Sequence, residues 1–338
     1  PVPTITPAPV PTTTATTPKP ATKPIELRWA MDIGVTRERF KQVYGPLFQK
    51  MEDASNGSVK VTVYPDQTLC AAVDTFDAVI SGVADMAEAN HGYVPGRFPL
   101  TEIIRLPGLG ISSTKAGAYI MRDMYDKFPE VRAEYSDLKL IFNYRLPAQI
   151  ITTVRTPIRK PEDMKGLKIR TQGAIAGDAI KAMGGVPVLM AMGDVYMALQ
   201  RGLLDGLISA PDTLVTRKFY EIEKHLTTVD MGGSTDVCIM NQQSFDKLPA
   251  NIQKVITDSI PWCIETMPGA WDGEVEAAVK AKPADFDWYT LTKEEAAVFN
   301  AATASVRENY SKQWASRGPA QAILDEVISL ANKYSDVK

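Results

Sequence analysis

Arg170 is the residue whose type and position most clearly suggest chemistry. It ends a short apolar segment in GLKIRTQGAIAG, and a helix is predicted to begin a few residues later. Free backbone N–H groups at a helix start carry partial positive charge. An arginine fork beside them can hold both oxygens of a carboxylate. On the local pattern alone, an arginine that pairs with a structural acid or lies in solvent remains the leading alternative.

His91 is the other candidate for chemistry, because EANHGYVPGRF places it just after a predicted strand, where it could face a cleft. A histidine there could shuttle a proton, but no acid or nucleophile is placed beside it. The sequence contains no P-loop, HExxH or GxSxG motif. Its two histidines and three cysteines have no zinc-site spacing. We therefore expect no catalytic residue, no metal and no cofactor.

The composition is that of an ordinary globular protein of about two domains. The 338 residues carry a net charge of −3, so nothing indicates nucleic acid as a partner. No run of about 18 or more apolar residues is present, and we expect no membrane-spanning segment. Cys70, Cys238 and Cys263 show no disulfide pattern and are expected to be buried as small apolar side chains.

Residues 1–24 are predicted to form a semi-stiff linker, because they contain only Pro, Thr, Ala, Val, Ile and Lys. Proline removes backbone donors and holds the chain extended. Such a spacer suits a domain tethered to a cell surface, and a tail without a role is an equally open alternative. The sequence opens on PVPTITPAP without a leader, which leaves open that a leader was removed.

The globular part is predicted to alternate strands and helices, which is typical of mostly parallel sheets covered by helices. The predicted strands are ELRWAM, SVKVTVYP, VADMAEA, GLKIRT, VPVLM and LLDGLIS. The predicted helices are TRERFKQVYGPLFQKMEDAS, AAVDTFDAVISG, AIAGDAIKAMGG and DVYMALQRG. A single helix is predicted over 291–318, starting at Thr292, and another from Pro319 onward.

A short internal sequence repeat, which we call the echo, favours two similar lobes. AVISGVAD at 78–85 and ALQRGLLD at 198–205 share a helix that ends on glycine and a strand that follows at once. A cleft between two such lobes is a natural site for a small molecule, since ligands bind beyond the carboxyl ends of parallel strands.

Several motifs, taken in order, resemble one family. The stretch PEDMKGLKIRTQGAIAGDAIKAMGGVPVLMAMGDVYMALQRGLLDG at 161–206 is similar to the signature block of the substrate-binding proteins of tripartite ATP-independent periplasmic (TRAP) transporters. The resemblance continues through 220–256, NGSVKVTVYPDQTL and GYVPGRFP, and covers nearly everything except the linker.

The resemblance implies a two-lobe α/β fold like that of periplasmic binding proteins, with hinge strands and a long helix spanning both lobes. It implies lobe I at 25–147 plus 236–275 and lobe II at 148–235 plus 276–338. The lobes would close on an organic acid and deliver it to small and large membrane subunits. Arg170 would be the carboxylate clamp. A periplasmic or extracytoplasmic location follows, with lipid anchoring through the linker as a further expectation and a monomer as the expected state.

Departures from the family pattern predict the kind of acid. Ile150 stands where many members that bind sugar acids carry a second arginine, and Ile208 follows DG where an acid or amide is common. Met192 replaces an aromatic residue before GDVY, and Cys70 replaces a glycine. A buried polar ligand group without a partner costs about 1–3 kcal/mol. These changes therefore favour a monocarboxylate with an apolar or aromatic body.

The predicted ligand-binding residues combine the clamp with its surroundings. They are Arg170, Asn90, His91, Ile150, Met192, Ser209, Asp212 and Gly233. Core positions for Ile208 and Met192 and a helix-capping role for Asp212 remain alternatives. An enzyme on a two-lobe scaffold that acts on a small carboxylic acid, or a ligand-sensing module, are the competing functions.

Overall fold

The computed structural model of the protein describes residues 24–337, and residues 1–23 of the predicted linker lie outside the described residues. Its strands form two sheets that are not joined to each other. In chain order the strands are β1 (Ile25–Ala30), β2 (Val59–Tyr64), β3 (Met86–Asn90), β4 (Leu138–Arg145), β5 (Ile150–Thr153), β6 (Lys168–Thr171), β7 (Val186–Leu189), β8 (Gly206–Ser209), β9 (His225–Thr228), β10 (Thr235–Asn241) and β11 (Asp287–Thr290).

Each sheet is the centre of one lobe. The sheet of lobe I has the order β2-β1-β3-β10-β4, and that of lobe II has the order β11-β9-β5-β8-β6-β7. Most neighbours are parallel, as predicted, but β10 runs antiparallel to β3 and β4, and β5 runs antiparallel to β8 and β9. Both reversed strands are the first strand after the chain crosses between lobes. The chain enters each lobe from the end where the other strands finish, which reverses the entering strand.

Helices cover the sheets and link the lobes. They are α1 (Gly45–Ala54), α2 (Thr75–Ile80), α3 (Thr114–Lys127), α4 (Pro129–Ala133), α5 (Ala174–Ala182), α6 (Val195–Gln200), α7 (Thr213–Thr216), α8 (Gln242–Asp246), α9 (Ala250–Ala281), α10 (Lys293–Ala302), α11 (Ala304–Gln313) and α12 (Ala320–Lys333). Helix α9 spans 32 residues, packs on α1 and β4 of lobe I, and leads to β11 of lobe II. The two-lobe fold with a long connecting helix is confirmed.

Short crossings join the lobes at the hinge. Residues 146–149 lead from β4 to β5, and residues 229–234 lead from β9 to β10. The two crossings contact each other, since Leu146 N–H donates to Ser234 O at 2.8 Å and Gln149 N–H donates to Gly232 O at 3.3 Å. Between Pro24 and Val337, no helix combines the length and the apolar character that crossing a bilayer requires.

The sequence echo corresponds to matching hydrogen bonds in the two lobes. Gly82 and Gly202 both adopt positive φ, +76° and +68°, at the end of α2 and α6. Asp85 accepts the backbone N–H of Arg28 in β1 at 2.9 Å. Asp205 accepts that of Lys168 in β6 at 2.8 Å. Each aspartate therefore ties the start of one strand to the first strand of its parallel set, which explains the shared spacing.

The C-terminal region differs from the sequence prediction. The helix predicted over 291–318 is divided at Thr303, whose Oγ1 donates back to Phe299 O at 3.0 Å. Such local bonds compete with helix continuation. Thr292 does form the predicted capping box, together with Glu295. The short strand β11 was not predicted from the sequence.

Candidate ligand-binding cleft

Arg170 lies in β6, between β7 and β8 of the lobe II sheet, and its side chain is wholly buried. Its Nε donates to Met190 O at 2.8 Å, and a terminal nitrogen donates to Ile208 O at 3.4 Å. The carboxyl ends of parallel strands meet here, which is where open α/β sheets bind ligands. Strand β6 therefore carries a cation to the edge of lobe II that faces lobe I.

No acid within the described residues 24–337 forms an ion pair with Arg170. Within residues 24–337 its hydrogen bonds go only to carbonyl, amide and hydroxyl oxygens, and those to Gln172 Oε1 and Tyr93 OH are both 3.5 Å long. Burial lowers the pKa of Arg170, and the neighbouring Tyr93 partly offsets that effect. An unpaired buried cation is costly, so the site is suited to receive an anion.

Helix α5 begins directly after Gly173, close to Arg170. Gln172 precedes that glycine and is buried, and its Nε2 has no hydrogen-bond partner among the described residues. The same side chain lines the cleft and touches Arg170 through its oxygen. The amide of Gln172 therefore connects the cavity in this cleft to the Arg170 guanidinium behind it.

That cavity, between the lobes, has a volume of about 80 Å³, several times the space that one water molecule needs. Tyr93 and Gln172 lie between the cavity and the Arg170 guanidinium and contact both. The lining residues are Asp32, Ile33, Arg37, Arg39, Ala72, Thr75, Glu88, Ala89, Asn90, Tyr93, Leu146, Gln172, Met192, Ala210, Asp212, Thr213, Thr216, Arg217, Asp236 and Trp271.

Direct contacts hold the lobes together across the cleft. Arg37, which follows β1 in lobe I, pairs with Asp212 of lobe II at 2.6 Å and with Glu274 on α9. Tyr93 of lobe I accepts the Met192 N–H of lobe II at 3.4 Å. Burial is the main cause that raises the pKa of Asp212, and Arg37 opposes it. The Arg37 contacts act as a latch in this arrangement.

The lobe I wall is charged and highly connected. Arg39 is buried, pairs with Glu88 at 3.1 Å and lies over the Trp271 ring at 3.7 Å. Asp236 also lies near Arg39, at 3.7 Å. Unlike Arg170, Arg39 has its pKa raised well above the usual value, because nearby acids outweigh its desolvation.

Comparison of this sequence with known protein families shows to which family it belongs. The profile of bacterial extracellular solute-binding protein family 7, also called DctP, matches residues 39–313. The chain belongs to this family. Its members are the solute-binding proteins of TRAP transporters, which bind small organic acids and work with membrane subunits. The resemblance predicted from the sequence is thereby confirmed.

Relatives and solved structures agree with this family. The C4-dicarboxylate-binding periplasmic protein DctP of Rhodobacter capsulatus is 28% identical over 278 residues, 78% of this chain and 79% of that protein. A TRAP periplasmic solute-binding protein of Bordetella bronchiseptica, solved with bound (R)- and (S)-mandelate, has a TM-score of 0.83 at 24% identity. The alignment covers 92% of this chain and 99% of that one.

A TRAP solute-binding protein of Rhodoferax ferrireducens, solved with copurified benzoate, also has a TM-score of 0.83. It is 21% identical, and the alignment covers 93% of this chain and 99% of that one. At such identities, the two solved structures show the fold of this family 7 protein and no more.

Three of the residues predicted for the site line the cleft, namely Asn90, Met192 and Asp212. The Asn90 amide is already engaged, because it donates to Ser234 Oγ at 2.8 Å and to Asp236 Oδ1 at 2.5 Å. Asp212 is held by Arg37. Arg170 borders the cavity from behind Tyr93 and Gln172.

The structure does not place the other predicted residues on the cavity wall. His91 lies inside lobe I, with Nδ1 at 3.0 Å from Thr235 O and Nε2 at 2.7 Å from Tyr135 OH. Burial lowers the pKa of His91 to about 3. Ile150 packs in the core of lobe II, and the Ser209 hydroxyl bonds Thr213 at 2.7 Å. Gly233 is in the hinge, where any side chain would collide with Arg145.

The sequence did not predict most of the residues in the lobe I wall. These residues are Arg37, Arg39, Glu88 and Asp236. Glu88 carried a usable signal, since it is a charged residue inside the otherwise apolar strand β3. The arginines carried none, because they occupy the polar side of a predicted amphipathic helix start.

Proposed function

We propose that this protein is the extracytoplasmic receptor of a TRAP transporter for a monocarboxylic acid with an apolar or aromatic body. The observation that carries the proposal is Arg170, a wholly buried guanidinium without an acidic partner among the described residues. The ligand carboxylate takes the place of the long contacts that Arg170 makes with Tyr93 and Gln172. The closing lobes then exclude water, which strengthens the ion pair.

The remaining contacts follow from the cavity wall. Met192, Ala210 and Leu146 supply apolar surface, and Asn90 and Asp212 hold the polar groups around it. Ile150, Ser209, His91 and Gly233 act from behind this wall, by shaping the lobes and the hinge. Proteins of the same fold that were solved with mandelate and benzoate indicate which acids to test first.

A ligand screen tests this function. Native mass spectrometry of the purified protein, followed by a thermal-shift screen, compares aromatic and aliphatic monocarboxylates with sugar acids and C4-dicarboxylates. We expect a monocarboxylate to give the largest shift. Arg170→Ala should then lose at least about thirtyfold in affinity, and Arg170→Lys should recover only part of it, because a point charge replaces a two-pronged fork.

The C4-dicarboxylates in the screen test a second candidate ligand class, since a relative is named for binding C4-dicarboxylates. A response only to dicarboxylates or sugar acids contradicts the apolar body that we propose. Unchanged binding by Arg170→Ala removes the clamp assignment. Arg155→Ala, at the exposed edge of lobe II, serves as the matched arginine control.

The proposal extends to partners and location. The protein delivers its ligand as a monomer to the small and large membrane subunits, outside the cytoplasmic membrane, and residues 1–24 tether it there. It binds without converting the ligand. The enclosure of His91, with both ring nitrogens engaged, supports this over the enzyme alternative. Intact-mass analysis of protein from its native membrane tests the tether, and a free, unmodified form contradicts it.

A further inference from the structure

The lobe I wall of the cleft holds more acid than base. Asp32, Glu88 and Asp236 all line the cavity. Arg39 forms ion pairs with Glu88 and Asp236, while Asp32 forms none within residues 24–337. The other arginine nearby, Arg37, is occupied by Asp212 and Glu274. Of the three carboxyl groups on this side of the ligand space, two therefore share the guanidinium of Arg39, and Asp32 has no ion pair within residues 24–337.

One oxygen on this wall has no donor. Tyr44, Tyr144 and Arg39 all donate to Oε1 of Glu88. Oε2 of the same carboxyl is buried and has no hydrogen-bond partner among the described residues. Glu88 itself is only 4% exposed. A buried acceptor without a donor is unfavourable, so the wall is short of a hydrogen-bond donor at this point.

The electrostatics of the wall agree with this. Burial raises the pKa of Glu88, and Arg39 opposes that effect. Burial also raises the pKa of Asp236 well above its usual value, and the carboxylate of Glu88 adds to it. Bringing a donor or a positive charge to this wall relieves both effects.

The complementary charge, the Arg170 guanidinium, lies on the opposite side of the cavity, behind Tyr93 and Gln172. Tyr93 lies between the two walls. Burial is the main cause that raises its pKa, Arg170 opposes this effect, and Asp32 and Asp236 add to it. A ligand that spans the cavity therefore meets a cation at one end and acids at the other. Charge complementarity of this kind sets specificity.

We infer that the ligand carries a hydrogen-bond donor, a hydroxyl or a protonated amine, at the end away from its carboxylate, and that this donor binds Oε2 of Glu88. The inference rests on the proposed function, because it takes the carboxylate of the ligand to lie at Arg170. It adds a second point of recognition, on the other lobe, to the one at the clamp.

Matched ligand series test the inference. Benzoate, phenylacetate and 3-phenylpropionate are each compared with their 4-hydroxy and 4-aminomethyl derivatives by isothermal titration calorimetry. We expect at least one derivative to bind about tenfold tighter than its parent. Three lengths are used so that one places the donor within reach of Glu88. Titration in buffers of different ionisation enthalpy separates the two donors, because an ammonium that displaces a proton releases it to the buffer.

A variant assigns the preference to Glu88. In Glu88→Gln, the three protein donors retain the amide oxygen, so an NH₂ group, which donates and does not accept, takes the position of Oε2. The preference, measured as the ratio of the two affinities within the same variant, should fall to less than about twofold. Asp287→Asn makes the same change of charge at Arg159, in lobe II, and should keep the preference.

The possible failures are distinguishable. If parents bind through Arg170 and no derivative of any length gains affinity in the wild-type protein, the inference is overturned and the proposed function stands. The same holds if the preference survives in Glu88→Gln. If no acid of any series binds, the proposed function itself falls. The comparison within the wild-type protein keeps the inference testable even where Glu88→Gln does not fold.

Discussion

Two buried arginines, Arg39 in the lobe I wall and Arg170 behind the residues that line the cavity, lie in opposite electrostatic settings. Arg39 on lobe I has acids around it and packs on Trp271, and its pKa is raised. In the described part of the chain, Arg170 on lobe II has only carbonyl, amide and hydroxyl oxygens as hydrogen-bond partners, and burial lowers its pKa. Burial disfavours the charged form of both side chains, but of the two only Arg39 forms ion pairs with acids within residues 24–337. The difference supports our proposal that Arg39 serves the fold and that a ligand anion completes the surroundings of Arg170.

The largest expected difference between the two arginines is in stability, when each is replaced by methionine, which retains an unbranched side chain. Arg39→Met leaves Glu88 and Asp236 buried beside each other without a cation, and we expect it to lower the free energy of unfolding by about 3–5 kcal/mol. Arg170→Met leaves no acid behind and removes a desolvated charge, so the ligand-free protein should keep or gain stability. Urea unfolding measured by circular dichroism compares the two variants. Equal losses of stability would mean that Arg170 is a structural arginine.

Removing the Arg37 ion pairs, which link the two lobes across the cleft, should have a smaller effect. Arg37→Ala removes the ion pair between Arg37 in lobe I and Asp212 in lobe II, together with the contact to Glu274. We expect affinity for the screened acid to fall by about 1–2 kcal/mol, mainly through faster release, because the closed form becomes less populated. Stopped-flow kinetics measures the release rate.

Arg28→Ala is the control for the latch, because the Arg28–Asp85 pair at 2.9 Å lies within lobe I. That variant should change stability slightly and leave the release rate unchanged. If the two variants release ligand equally fast, the Arg37 contacts do not favour closure.

The sequence alone predicted more of the lobe II side of the cleft than of the lobe I side. The site around Arg170 in lobe II could be predicted because its parts are contiguous in the sequence. A strand, Arg170, a glycine and a helix follow each other within one short stretch. The echo around Gly82 and Gly202 was visible for the same reason, because each half of it is contiguous. Residues that act within one turn or one strand end leave a pattern that a single sequence displays.

The lobe I wall depends on contacts that no local pattern contains. Asp236 meets Asn90 because β10 pairs antiparallel with β3, and these residues are 146 positions apart. Side-chain direction was equally hidden: Ile150 and His91 lie close to the cleft in sequence, yet each packs into the core of its own lobe. A shift of one residue in the register of β5 would have turned Ile150 to the other face of its sheet, which is why its direction could not be assigned from the sequence. His91 follows the end of β3 in a short helical turn, whose direction the strand pattern does not fix.

His91 offers the smallest and most selective test, because it lies behind the lobe I wall. In the folded protein its pKa is lowered to about 3, while in the unfolded chain it is about 6.5. The unfolded state therefore binds a proton that the folded state does not, and stability falls as the pH drops below the unfolded value. This amounts to about 1 kcal/mol between about pH 7 and 5.5. His91→Gln should lose that part of the pH dependence, whereas His225→Gln should keep it. Urea unfolding across this pH range compares the slopes, and equal slopes for wild type and His91→Gln would place His91 in contact with solvent or ligand, on the wall itself.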